Sequence, residues 1–138
     1  MTFSYSLSEI NKASKFIFEN INSKIILFNG DLGTGKTTLI KNLCLKLGST
    51  ENVSSPTFPI LNIYEDKKIK IYHADLYRVK NIKDLNELGF FEIINNDNWL
   101  FIEWPKKIIK VIDKPFSILN IEIDVNNNRI IQLRNNEL

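Results

Sequence analysis

The sequence predicts a single compact α/β domain over residues 1–138, with a largely parallel central sheet, helices on both faces and a C-terminal β-hairpin. Three observations carry that prediction. Lys24-Ile25-Ile26-Leu27-Phe28-Asn29 and Trp99-Leu100-Phe101-Ile102-Glu103 are short apolar, β-favouring runs, the composition of strands covered on both sides. The first run passes through a glycine-rich loop directly into a helical pattern. The last runs, Phe116–Val125 and Arg129–Leu133, flank Asn126-Asn127-Asn128 as a hairpin would.

The elements follow in order. Ser6-Leu7-Ser8-Glu9 has the form of a capping box, in which a serine and a glutamate three positions on satisfy free backbone amides at a helix start. Ile10, Ala13, Phe16 and Ile17 then recur at helical spacing, which predicts a helix ending near Asn20. A second helix runs from about Lys36 to Leu47, closed by Gly48 and with Cys44 in its core face. Phe58–Tyr64 and Ile69–His73 read as strands joined by the polar turn Glu65-Asp66-Lys67-Lys68. Asn81–Leu88 reads as a short helix stopped by Gly89. No internal repeat, linker or low-complexity segment interrupts the pattern.

Composition bounds the function. A chain of 138 residues with 43% hydrophobic content can build one ordinary core. The net charge of +2 writes no strong footprint for DNA or unaided RNA binding, and only Arg78, Arg129 and Arg134 among the basic residues are arginines. One cysteine gives neither a disulfide framework nor a cysteine-based zinc site. With no secretory signal and no run approaching the roughly 18 apolar residues of a membrane span, the expectation is a cytoplasmic protein with no membrane partner.

The chemistry sits in Gly30-Asp31-Leu32-Gly33-Thr34-Gly35-Lys36-Thr37, which matches G-x-x-x-x-G-K-[ST], the phosphate-binding P-loop. Its glycines let backbone amides wrap phosphates where a Cβ would intrude. Lys36 brings a positive charge to the β- and γ-phosphates, Thr37 offers a hydroxyl to Mg2+, and the helix that follows points its positive end at the anion. The expected nucleotide-binding residues are Asp31, Leu32, Gly33, Thr34, Gly35, Lys36, Thr37 and Thr38. A P-loop also needs an acidic residue at another buried strand tip. Glu103 ends the more apolar run and is favoured as the metal-linked carboxylate, with Asp75, after Ile71-Tyr72-His73-Ala74, in support. The single histidine, His73, is read as a packed or hydrogen-bonded residue and left outside the site. The guanine motif N-K-x-D fails at Asn11-Lys12-Ala13-Ser14 and no D-x-x-G occurs, so ATP is the expected nucleotide. The scarcity of arginine disfavours a small-molecule kinase with an arginine-rich lid.

Four motifs occur in sequence: the P-loop through Thr38, Ser55-Pro56-Thr57-Phe58, His73-Ala74-Asp75-Leu76-Tyr77-Arg78, and Ile102-Glu103-Trp104-Pro105. Together they resemble the bacterial ATPase family of tRNA threonylcarbamoyladenosine biosynthesis, over nearly the whole chain. The resemblance implies a P-loop NTPase fold, ATP and Mg2+ as cofactors, and slow ATP hydrolysis in support of threonylcarbamoyl-transferase subunits. That machinery modifies the adenosine beside the anticodon in tRNAs reading ANN codons; tRNA is reached only through the complex. By motif, Thr37 and Glu103 are the implied metal residues, Lys36, Asp75 and Glu103 the catalytic ones, Thr57 a switch residue near the γ-phosphate, and Trp104 a neighbour of the nucleotide. The chain departs from the family at Ser8, Glu9 and Ile10, where a threonine often helps hold the nucleotide. Two other functions remain open at this stage: a nucleotide-dependent binding module with little hydrolysis, and a small-molecule kinase.

Overall fold

The computed structural model describes residues 1–49 and 60–136. Its core is one seven-stranded sheet with strand order β1-β7-β6-β2-β5-β4-β3. In chain order the elements are β1 (Thr2–Tyr5), α1 (Ile10–Asn20), β2 (Ile25–Asn29), α2 (Lys36–Lys46), β3 (Leu61–Glu65), β4 (Lys70–Asp75), α3 (Ile82–Glu87), α4 (Phe90–Asn95), β5 (Trp99–Glu103), β6 (Phe116–Ile123) and β7 (Arg129–Asn136).

The four central strands β6, β2, β5 and β4 run parallel, and the outer strands β1, β7 and β3 join antiparallel. The sheet is therefore mixed, with the expected parallel arrangement confined to its centre. Residues of β2 alternate between the two faces, and each face is covered. Ile26 and Phe28 join α1 and α2 through Ala13, Ile17, Leu39, Ile40, Leu43 and Cys44. Ile25 and Leu27 join α3 and α4 on the opposite side through Leu85, Phe90 and Ile94.

Local chemistry sets the element ends. The Ser6–Glu9 capping box forms, with the Ser6 amide donating to Glu9 Oε1 at 3.0 Å, and introduces a short 3-10 turn, Leu7–Glu9, before α1. Gly48, at φ +99°, closes α2: the Ser49 and Gly48 amides donate to the carbonyls of Cys44 and Leu45, both at 3.0 Å. Two elements exceed the sequence expectation. β1 pairs with β7 at the far end of the chain, and Gly89 does not end the helical stretch but joins α3 to α4 in a left-handed conformation. Among the described residues no helix is long and apolar enough to cross a membrane.

This topology places the carboxyl ends of β2, β4 and β5 side by side. Register pairs Phe28 with Glu103 and Asp75 with Glu103, so the loop leaving β2 and both acidic strand tips meet at one edge of the sheet. In open α/β sheets that edge is where ligands bind.

Candidate functional site

The loop after β2 closes on itself before α2 begins. The Thr34 hydroxyl donates to the Asp31 carbonyl at 2.9 Å, and the Lys36 ammonium donates to the Gly30 carbonyl. Gly35, the residue preceding α2, has φ +95°, a conformation that glycine adopts without cost. Thr34 and Lys36 are buried, whereas Leu32 at the loop tip is 71% exposed. Burial holds the Lys36 pKa below the ordinary lysine value, and the carboxylates of Glu103, Asp75 and Asp31 oppose that shift. The lysine is thus gathered toward three acidic groups at the head of a helix.

Glu103 is only 3% exposed, yet both its oxygens are held. The Thr37 hydroxyl donates to Oε1 at 3.0 Å, and His73 Nε2 lies 2.7 Å from Oε2. Asp75 stands beside it in register and accepts from the Tyr77 amide at 3.0 Å. Burial pushes the Asp75 pKa above the usual carboxylate range; the Tyr77 amide opposes this and the Glu103 charge adds to it. Two carboxyl groups of unequal burial, a threonine hydroxyl and an ammonium therefore share one corner.

Trp104 follows Glu103 in a left-handed conformation, φ 56°, just before Pro105. Such a conformation costs about 1–3 kcal/mol in a bulky residue and persists where surrounding contacts enforce it. Those contacts are visible. The Lys36 ammonium lies 3.4 Å from the Trp104 ring centroid, and Tyr77 packs on the ring at 4.8 Å. The tryptophan therefore covers the loop lysine.

Of the residues expected from sequence, Asp31, Leu32, Gly33, Thr34, Gly35, Lys36, Thr37 and Thr38 form the loop and the first turn of α2, and Asp75, Glu103 and Trp104 face them. Thr57, with the whole Ser55-Pro56-Thr57-Phe58 motif, lies outside the described residues. The reading of His73 as a packed, hydrogen-bonded residue holds, but its separation from the site does not: the fully buried ring binds the Glu103 carboxylate directly. Arg129, which sequence reasoning treated only as a hairpin residue, also arrives here. Its Nε is the one buried side-chain nitrogen or oxygen among the described residues without a hydrogen-bond partner, and a Cβ placed on Gly35 would lie 3.7 Å from it.

These groups suit a phosphate-bearing ligand with a hard divalent cation. Backbone amides at the start of α2, Lys36 and the unsatisfied Arg129 Nε are donors for an anion. Thr37 and Glu103 are oxygen donors of the kind Mg2+ prefers, few enough to leave coordination places for water and phosphate. A small concavity of about 220 Å3 opens beside them, lined by Gly30, Asp31, Trp104 and Asn120. A larger one of about 650 Å3 lies at the opposite end of the sheet near Phe18, Lys24 and Pro115, away from every one of these groups.

Comparison with known proteins identifies the family. Residues 4–133 match the family model described as threonylcarbamoyl adenosine biosynthesis protein TsaE. A Rickettsia prowazekii protein named tRNA threonylcarbamoyladenosine biosynthesis protein TsaE is 38% identical over 133 residues, covering 93% of this chain and 90% of the relative. Its namesake from Borreliella burgdorferi is 36% identical over 127 residues, covering 90% of each. The crystal structure of Bacillus subtilis YdiB superposes with a TM-score of 0.72 at 23% identity, covering 96% of this chain and 83% of that one, which establishes the shared fold. With the P-loop, the paired strand-tip carboxylates and a match running almost from end to end, the chain belongs to the TsaE family.

Proposed function

We propose that this protein binds ATP with Mg2+ on the Gly30–Thr38 segment, hydrolyses it slowly, and uses the cycle to support threonylcarbamoyl modification of tRNA by partner transferase subunits. Family membership places the chain in threonylcarbamoyl adenosine biosynthesis. The observation that most supports the nucleotide reading is the 3.0 Å hydrogen bond between the Thr37 hydroxyl and Glu103 Oε1, which joins the end of the phosphate loop to the carboxylate of another strand.

In this reading the loop amides and Lys36 hold the β- and γ-phosphates, with Arg129 as a further donor. Thr37 and Glu103 would hold the cation, which would supply charge neutralisation for phosphoryl transfer. Asp75, the carboxyl group with the raised pKa, orients or deprotonates the attacking water. Trp104 and Lys36 form one wall of the site, and Thr57 acts as the switch residue near the γ-phosphate. Residues 1–138 act as one domain in the cytoplasm, and the tRNA is met through the complex.

Isothermal titration with a non-hydrolysable ATP analogue tests the assignment. Lys36→Ala removes the cation facing the phosphates and leaves the amides alone, so affinity drops by about 100-fold, or roughly 2.7 kcal/mol. Wild-type affinity in a folded Lys36→Ala protein refutes the loop assignment.

A further inference from the structure

The Glu103 carboxylate is the end of a buried chain of hydrogen bonds that crosses three strands. On the face covered by α1 and α2, Tyr64 of β3, His73 of β4 and Glu103 of β5 lie on successive diagonals of the sheet. The Tyr64 hydroxyl is 3.0 Å from His73 Nδ1, and His73 Nε2 is 2.7 Å from Glu103 Oε2. Tyr64 is 4% exposed, His73 not at all, and Glu103 3%. Upstream, Asn62 Nδ2 donates to the Tyr64 oxygen at 3.3 Å.

The directions of these bonds follow from the chemistry of the groups. An ionised carboxylate only accepts, so the ring nitrogen facing Glu103 carries a proton. A neutral imidazole protonated at Nε2 has a bare Nδ1, which needs a donor. The Tyr64 hydroxyl is the group placed to supply it. Glu103 thus receives one hydrogen bond from His73 and one from Thr37, on opposite oxygens. These two bonds fix its rotamer with Oε1 toward the loop.

We infer that Tyr64 and His73 are positioning residues: the tyrosine selects the His73 tautomer, and the histidine holds Glu103 in the orientation in which Oε1 serves Thr37 and the cation. This deepens the proposed nucleotide site and rests on that reading. Both are buried and act through Glu103. A partner behind a metal-directed group commonly changes metal affinity by about 10–100-fold.

Because His73 is the only histidine of the chain, its two ring nitrogens can be read without ambiguity by 15N NMR of the wild-type protein. A protonated Nε2 and a bare Nδ1 are expected, and the opposite tautomer overturns the relay whether or not the protein binds nucleotide. Mg2+ is then titrated into the complex with a non-hydrolysable ATP analogue. His73→Leu weakens Mg2+ about 10–100-fold while affinity for the Mg2+-free analogue stays within about twofold. His73→Gln, which can present an amide N–H near the place of Nε2, restores most of the loss, and Tyr64→Phe shifts the tautomer equilibrium. Unchanged Mg2+ affinity in His73→Leu overturns the positioning role. Failure of the wild type to bind the analogue at all refutes the nucleotide reading instead, and leaves the tautomer measurement to judge the relay.

Discussion

Gly30→Ala tests how closely the phosphate loop is pressed against the sheet. The constraint at Gly30 is space, since its backbone does not lie at positive φ. A methyl group there would sit 2.8 Å from the Ile121 carbonyl oxygen and 2.8 Å from Thr34 Oγ1. The first atom belongs to β6, where Ile121 pairs with Ile131, and the second is tied to the Asp31 carbonyl at 2.9 Å. Neither yields without breaking a bond, so the loop shifts outward and the Lys36–Gly30 contact shifts with it. Overpacking of this kind costs about 1–3 kcal/mol. For a chain of this size it lowers the melting temperature by roughly 3–9 °C. Displaced loop amides weaken binding of a non-hydrolysable ATP analogue by about 10–100-fold, or roughly 1.4–2.7 kcal/mol. Gly48→Ala is the control: φ +99° with no atom within 4 Å gives backbone strain of about 1–2 kcal/mol, far from the site, and unchanged affinity. Calorimetry on both variants decides the matter. Wild-type affinity and melting temperature in Gly30→Ala refute the close approach and the loop geometry built on it.

Further substitutions address the carboxylates and the thiol. Glu103→Ala leaves the analogue affinity largely intact and abolishes Mg2+-dependent hydrolysis, and it destabilises the fold by about 1–3 kcal/mol because the buried His73 Nε2 loses the carboxylate it bonds; stability close to wild type contradicts the buried bonding described for Glu103. Asp75→Asn keeps the Tyr77 amide bond and removes a charge whose folded pKa lies above the ordinary 3.8, so it raises the melting temperature at pH 7 while impairing hydrolysis. Asp75 is protonated in both states below pH 3.8, its ionisation penalty grows as pH rises from there through the raised folded value, and the gain from Asp75→Asn therefore fades in acid; an equal gain at all pH values contradicts it. Burial pushes the Cys44 thiol up to about 12, so thiol reagents at pH 8 react with it only at the rate of protein opening, and reaction at a free-thiol rate refutes its burial.

Much of the site was legible because strand chemistry repeats every second residue. The apolar runs at Ile25–Asn29 and Trp99–Glu103 and the loop after the first fixed β2, β5 and α2 closely, and the acidic end of the second run marked Glu103. The same alternation puts His73 and Asp75 on one face, yet their approach to Glu103 depends on β4 pairing with β5 in one register, which no local pattern reveals. Arg129 is further out of reach of local reasoning, since the β6–β7 hairpin carries it back to a loop that lies far earlier in the chain. β1 was missed for a related reason. It has four residues with only Tyr5 buried, and its stability comes from β7, more than a hundred residues away. At Gly89 the punctuation was right and the interpretation incomplete, because a left-handed glycine can join two short helices as well as end one.

Reconstitution of the modification from purified transferase subunits and unmodified tRNA, with the protein present, absent, or replaced by Lys36→Ala, decides whether nucleotide on this protein drives tRNA threonylcarbamoylation. The expected result is product accumulation over many turnovers only with the wild-type protein and ATP, with Lys36→Ala behaving as if nothing had been added. Equal multi-turnover yield in all three reactions would contradict the account.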